Sequence, residues 1–524
     1  MQFFSIVLTL LALAHPLVAA LQCAQNTFNN LTLNGGAILA ISVAPITNIS
    51  ANLPPTNNFY ATNVTGLDVC EVTIQYTHPG QNDTINVVVW LPLGGWNGRF
   101  MAIGGGGLAT GGGKATLNPP AALGYATAFT DGGHVLDTRS AATWALVSPG
   151  NVNWALLQDF ASVALDDLAT LGKAATEAFY GSSPRYSYWN GCSTGGRQGH
   201  MLAQRYPTQF DGILAGAPAF NWASFIVSEY WPQLVMNLLD VYPRQCEFDA
   251  ITKAATAACD ALDGVTDGIV AVPGLCNFDP HTVVGQTFNC SETGMRMQIS
   301  SEAATVALAA WKGPSTVDGK FEWFGLNPDA PLSGLVNTTC SKGGNCSGVP
   351  FAIPVDWIKL FVLKDPTFNL LNLSHREYDT VFRQSNNQFG SIIGTNDPDL
   401  TDFRDAGGKM LTWHGLADQL IPPNGTYNYY QRVLNNDPNT VDYYRFYPAP
   451  GVGHCSGGSG WFPGNIFQSL VDWVEKDIAP DTVDAKSPPN SKGVVRHVSL
   501  CPYPQQLKYT GGDINQASSF ICQH

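Results

Sequence analysis

The sequence predicts an α/β fold, a parallel sheet flanked by helices and interrupted by one large insertion. Three observations carry that reading. Between about residues 84 and 219, β-rich apolar runs alternate with helix-like stretches. From about 220 to 395 the alternation is lost. From 396 it resumes with two strand-like runs and a helix-like one.

The chain begins with "MQFFSIVLTLLALAHPLVAA", an uncharged apolar run from Phe3 to Ala14 followed by small residues at Val18, Ala19 and Ala20. This reads as a secretory signal, residues 1–20, although a positively charged start is missing; an anchor helix needs about 20 apolar residues, and this run meets His15 and Pro16 first. Twelve cysteines, an even number without a C-x-x-C pair, imply disulfides formed in an oxidising compartment. Nine N-x-S/T sequons agree, at Asn30, Asn48, Asn63, Asn82, Asn289, Asn337, Asn345, Asn372 and Asn424. The expectation is a secreted, extracellular glycoprotein.

With 524 residues, 45% of them apolar and 13% charged, the chain can bury a large core and is not disordered. Its net charge is −14 and no basic run occurs. Nucleic acid and anionic membrane are therefore excluded as partners, since both require clustered Lys and Arg. No apolar run after the signal is long enough to span a bilayer.

The strand-like runs before the insertion are "TINVVVWLP", "RFMAIGG", "YATAFTDGG", "YSYWNG" and "FDGILAGAP". Helix-like "LLQDFASVALDDLATLGKAATEAF" and "QGHMLAQRYP" lie between them. After it come strand-like "KMLTWHG" and "YYRFYPAPG" and helix-like "IFQSLVDWVEKDI". The insertion carries helix-like segments, paired cysteines and scattered aromatics, among them Trp222, Trp231, Trp311, Trp323 and Trp357. One catalytic unit, 21–219 with 396–524, interrupted by a lid at 220–395, is the economical division; two unrelated domains are the rival.

The chemistry concentrates at "YWNGCSTGGRQG", which sets Ser193 in a G-x-S-x-G turn between a strand and a helix. That is the context of an α/β-hydrolase nucleophile. A serine hydroxyl needs a histidine to take its proton and an acid to orient that histidine, and in this fold they follow in the order acid, histidine. Asp418 lies just past one late strand and His454 just past the next. His414 suits a structural role, His134, His200 and His281 have poorer contexts, and Asp402, Asp405 and Asp442 read as solvated loop acids.

Cysteines stand beside both partners, Cys192 before the serine and Cys455 after the histidine. If the two are bonded, their Cα atoms stand roughly 5.5–6 Å apart, bringing Ser193 and His454 into hydrogen-bonding range. The alternative is a small buried Cys192 with Cys455 paired elsewhere. The glycine run 102–113 suits an oxyanion hole, with one donor from Gly105 or Gly106 and the other from the N–H of Thr194. A dinucleotide fingerprint on Gly104, Gly106 and Ala109, with Asp131 for the ribose, is disfavoured because the run opens no helix.

Within the insertion, Asp260, Asp263 and Asp267 lie between Cys259 and Cys276. Gly264 and Gly268 point to a loop whose oxygens converge on calcium, without EF-hand spacing; two plain Asp-Gly turns are equally compatible.

Together, "GCSTGGRQG", "HG-x-x-D" at 414–418, "GHC" at 453–455, "WNGRF" at 96–100 and "CDALDGVTDGI" at 259–269 resemble the fungal tannase and feruloyl esterase family of secreted carboxylesterases, across most of the chain. The resemblance implies Ser193, Asp418 and His454 as triad and a Cys192–Cys455 bond. It implies the disulfides Cys23–Cys70, Cys259–Cys276 and Cys501–Cys522. It further implies structural calcium held by Asp260, Asp263, Asp267 and the carbonyls of Val265 and Ile269. Of the three pairings left for Cys246, Cys290, Cys340 and Cys346, the short Cys340–Cys346 loop favours that pair, and with it Cys246–Cys290.

The expected function is hydrolysis of phenolic-acid esters through an acyl-enzyme. Feruloyl esters of plant cell walls come first, galloyl esters of tannins second. Absence of a dibasic processing pair leans slightly to the first. A catalytically silent binding module and a protease are the weaker readings.

Overall fold

Nine strands hydrogen-bond into one sheet: β1 (Ala37–Asn52), β2 (Asn63–Thr77), β3 (Ile85–Pro92), β4 (Arg99–Ile103), β5 (Ala126–Thr130), β6 (Tyr186–Cys192), β7 (Gly212–Gly216), β8 (Lys409–Gly415) and β9 (Tyr444–Ala449). Their spatial order is β1-β2-β3-β5-β4-β6-β7-β8-β9. The computed structural model describes residues 23–53, 58, 63–341 and 344–524; the signal read at 1–20 lies outside the described residues.

From β4 to β9 every pairing is parallel. β4, β5 and β7 are five-residue strands that are apolar almost throughout, as strands buried on both faces must be. The first three strands depart from the expected all-parallel sheet. β1 pairs with β2, β2 with β3 and β3 with β5, all antiparallel, so the sheet is mixed. β1 and β2 lie upstream of the alternation read from residue 84. β1 is an edge strand that is apolar at Ile38, Leu39, Ile41, Val43 and Ile46 yet has no buried residue.

Among the described residues ten α-helices have seven residues or more: α1 (Trp154–Ala161), α2 (Val163–Tyr180), α3 (Thr194–Arg205), α4 (Trp222–Ser228), α5 (Trp231–Leu239), α6 (Gln245–Cys259), α7 (Ser301–Lys312), α8 (His375–Ile393), α9 (Pro423–Asn436) and α10 (Ile466–Lys476). The helix-like run at 156–179 is thus two helices, broken at Ser162. The carbonyls of Phe160 and Ala161 turn to the guanidinium of Arg197 on α3 and leave the helical ladder.

Alternation along β6 sorts the two cores. Trp189 joins Leu165, Leu168 and Leu171 of α2 on one face, while Tyr188 joins Phe467, Leu470 and Trp473 of α10 on the other. Between Gly216 and Lys409 no strand joins this sheet among the described residues. That segment builds its own core, in which Trp222, Trp231, Trp323 and Trp357 pack with Phe361 and Phe389. A second cluster sits between α6 and α7.

Candidate active site

Ser193 occupies the turn between β6 and α3 with φ 64° and ψ −123°, where L residues are strained. The turn closes because its neighbours lack side chains. A Cβ on Gly191 would meet the Gly195 backbone at 2.5 Å, and one on Gly104 would meet Gly195 Cα at 2.6 Å. Ser193 N donates to Gly216 O at 3.0 Å, and its carbonyl accepts from Arg197 N at 2.9 Å, which starts α3.

The three residues expected from sequence form one hydrogen-bonded chain. His454 Nε2 lies 3.0 Å from Ser193 Oγ, and its Nδ1 lies 2.8 Å from Asp418 Oδ2. Asp418 is fully buried at the end of β8. Its Oδ1 accepts the N–H groups of Leu420 and Ile421, each at 2.9 Å, and its Oδ2 also receives His414 Nε2 at 3.2 Å. Burial alone would raise its pKa, but the charge of His454 and the bonds from both imidazoles hold it well below the usual carboxylate range. With Asp418 ionised, His454 donates from Nδ1, which frees Nε2 to accept the serine proton.

His414 therefore positions the acid, its other nitrogen lying 2.8 Å from Thr426 Oγ1. His200 is a core residue bonded to Gly196 O and Tyr444 Oη, and Asp402, Asp405 and Asp442 are exposed. His134 contacts Thr110, and His281 is an exposed neighbour of Asp279. Two positioning residues carried no sequence signal. Gln419 Oε1 accepts the His454 N–H at 3.0 Å, and Gln198 ties the glycine run to α3 by accepting from Gly105 N and donating to Thr110 O, each at 2.9 Å.

That last bond corrects the reading of the oxyanion glycines. The N–H of Gly105 is taken by Gln198, and a Cβ there would sit 2.1 Å from Ala109 O, so Gly105 is a packing glycine. Around Gly106 the space is open, and Thr194 is the first residue of α3.

All six expected disulfides are present: Cys23–Cys70, Cys192–Cys455, Cys246–Cys290, Cys259–Cys276, Cys340–Cys346 and Cys501–Cys522. Cys192 and Cys455 have Cα atoms 6.0 Å apart, which joins the serine turn to the histidine loop across 263 positions.

Ser193 and His454 open into a cavity of about 530 Å³. The glycine run bounds it on one side, and Trp222, Phe225, Ile226, Phe351 and Ile353 from the insertion on another. Glu229 also lines it and had no sequence signal. It is buried, and its Oε2 has no hydrogen-bond partner among the described residues. Burial, and then the charge of Asp418, push its pKa well above the ordinary value, which favours the neutral carboxyl.

The acidic loop does not line this cavity. Asp260 accepts the N–H groups of Asp267 and Gly268, Asp263 that of Val265, and Asp267 that of Ile269. Arg496 Nη1 pairs with Asp267 Oδ2 at 2.7 Å. Burial and the charges of Asp267 and Asp260 raise Asp263 to about 6, outweighing its backbone bond. Three carboxylates against one guanidinium leave an excess of negative charge of the oxygen-rich kind that calcium takes, although the three do not come within 4.8 Å of one another as a set. Eight of the nine sequon asparagines are exposed and Asn337 is half-buried.

A family model described as tannase and feruloyl esterase matches residues 70–523. The chain belongs to the tannase and feruloyl esterase family. It is 43% identical over 465 residues to a probable feruloyl esterase of Arthroderma benhamiae, covering 87% of this chain and 86% of that one. It is 30% identical over 548 residues to a tannase of Aspergillus oryzae, covering 94% and 90%. The structure of a tannin acyl hydrolase from Aspergillus niger superimposes with a TM-score of 0.85 at 29% identity, covering 97% and 94%. The protein is accordingly a carboxylic ester hydrolase with the α/β-hydrolase fold of this family.

The Cys192–Cys455 bond ties the two segments that carry Ser193 and His454. Replacing both cysteines by alanine is expected to lower ester turnover more than removing Cys501–Cys522 does. The melting temperature also falls, the loop-entropy limit being about 5 kcal/mol. Turnover unchanged beside a control lacking Cys501–Cys522 would count against this.

Proposed function

We propose that the protein is a secreted, glycosylated serine esterase that hydrolyses feruloyl-type esters of hydroxycinnamic acids. The observation that carries the chemistry is the hydrogen-bonded chain from Ser193 Oγ through His454 to buried Asp418, open to an apolar cavity. Ser193 attacks the ester carbonyl as its proton passes to His454 Nε2, and Asp418 stabilises the imidazolium. The N–H groups of Thr194 and Gly106 receive the oxyanion. His454 then protonates the departing alcohol, leaving an acyl-serine. Water, deprotonated by the same imidazole, releases the acid and restores the serine.

The acyl group follows from the cavity. Its aromatic and aliphatic walls suit a flat ring, and a neutral buried Glu229 offers one hydrogen bond to a ring hydroxyl. A site with an otherwise unpaired polar group rejects the analogue that lacks the matching hydroxyl. The higher identity to the probable feruloyl esterase than to the tannase supports hydroxycinnamoyl over galloyl groups. The segment between β7 and β8 serves as the lid. The six disulfides and the exposed sequons support an extracellular location.

Ser193→Ala is expected to give a folded protein whose ester hydrolysis is lower by several orders of magnitude, roughly 10⁴-fold or more. Turnover near that of the parent would end the triad reading.

Rates on methyl ferulate, methyl cinnamate, methyl gallate and a short aliphatic nitrophenyl ester test the acyl group. Ferulate is expected to lead, and Glu229→Leu to shrink the ferulate-to-cinnamate ratio by about tenfold to a hundredfold, the worth of one buried hydrogen bond. Preference for gallate would move the protein to the tannase side, and preference for the aliphatic ester would remove the phenolic pocket.

Calcium, held by Asp260, Asp263, Asp267 and the carbonyls of Val265 and Ile269, has a structural role in this proposal. Ile269 packs against Gly451, three residues before His454. Chelation is expected to lower the melting temperature and, through that contact, to weaken turnover; restored calcium reverses both. Purified protein without bound calcium and without stabilisation by added calcium would reject the site.

A further inference from the structure

Acids outnumber cations at a second buried place, where the β2–β3 turn meets α1 and α2. His78 follows β2, Asp83 precedes β3, Asp159 lies on α1 and Asp167 on α2. His78 Nδ1 is 2.5 Å from Asp83 Oδ2 and 3.9 Å from Asp159 Oδ1, and its Nε2 is 3.2 Å from Asp167 Oδ2. One ligand atom from each of His78, Asp83 and Asp159 lies within 4.8 Å of the other two.

The acids are not equally satisfied. Asp83 accepts from Thr77 Oγ1 at 2.7 Å and His78 N at 2.8 Å, and Asp167 accepts the Tyr76 hydroxyl at 2.9 Å. Asp159 is fully buried, and neither of its oxygens has a hydrogen-bond partner among the described residues. The charges acting on it are those of Asp83, His78 and Asp167, with no Lys or Arg among them. Burial and the Asp83 charge push Asp159 up to about 7. Three carboxyl groups thus face a single imidazole away from water, and the Asp159 carboxyl has neither a hydrogen-bond donor nor a close cation. A native structure rarely strands such a group without a partner.

We propose that this cluster is a divalent-cation site with His78 Nδ1, Asp83 and Asp159 as ligands. The cation takes the place of the proton between His78 and Asp83 and gives Asp159 its missing partner. Nε2–H of His78 then donates to Asp167, the carboxylate–histidine–metal arrangement that orients a metal-bound imidazole. One imidazole with carboxylates suits zinc or manganese. The bound ion pins the β2–β3 turn to both helices. It shares no residue with the Asp260 loop or the serine cavity.

The test uses the full chain, stripped of transition metals and held in excess calcium so that the Asp260 loop is not the variable. Titration with Zn²⁺, and separately Mn²⁺, is expected to give one ion bound per chain and a higher melting temperature. Asp159→Asn is expected to weaken that binding by about tenfold or more while esterase activity is kept. Crystals of the parent protein soaked in Zn²⁺ should show an anomalous peak in contact with His78, Asp83 and Asp159, a result that requires no variant to fold. An empty position in that map overturns the site, as does equal binding by Asp159→Asn. An Asp159→Asn protein that is more stable, in a chain that takes up no metal, shows relieved repulsion alone and also overturns it.

Discussion

Ser193 must hold a backbone conformation that L residues avoid, and much of the molecule is arranged around that demand. The strain persists only where surrounding contacts over-determine it. Three backbone segments meet at the turn with no side chain between them: the run at Gly104 and Gly105, the turn at Gly191 and Gly195, and the end of β7 at Gly216, whose carbonyl lies 2.3 Å from a Cβ built on Gly196. Arg197, one helical turn past the serine, is fully buried and binds the carbonyls of Phe160 and Ala161, so α3 cannot tilt without breaking α1 as well.

Position alone does not make the serine reactive; the histidine must also be held. His454 is on a loop, and loops move more than strands. Here the loop is fastened at three points: its N–H to Gln419, its Nδ1 to Asp418 and its neighbour Cys455 to Cys192. The disulfide is the covalent member of that set, and it explains why a cysteine tolerates the crowded position beside the serine. Ile269 adds a fourth contact by packing on Gly451, which links the acidic loop to the same turn.

What could be read from the sequence follows the range of the interactions. Ser193, Asp418 and His454 were legible because each follows a strand whose apolar run announces it; four of the disulfide pairings came from the family resemblance, and the short Cys340–Cys346 loop favoured the other two. The antiparallel strands β1 and β2 were not legible: both lie upstream of the alternation, and β1, though apolar at Ile38, Leu39, Ile41, Val43 and Ile46, buries none of these residues, so its sequence does not show which face packs. The break at Ser162 was hidden because its cause is Arg197, distant in sequence. Gly105 and Gly106 are interchangeable in a glycine run. Only the Gln198 side chain, reaching from another element, tells them apart. Glu229 looked like any helix-end acid until tertiary packing buried it.

Glu229, which lines the cavity, and Asp418, buried behind His454, are two carboxyls pushed in opposite directions. Both are buried, so burial disfavours charge on each. Asp418 receives two backbone N–H groups and two imidazoles, enough to keep it ionised. For Glu229, Oε2 is left without a partner, and the nearby Asp418 charge raises its pKa further. The charge beside His454 thus adds to the burial that already disfavours ionisation of Glu229. Divergent environments of this kind assign roles to paired acids. In the proposed reaction Asp418 serves the imidazolium and Glu229 the substrate ring, and because burial is the larger cause of the Glu229 shift, the two roles are held by separate environments.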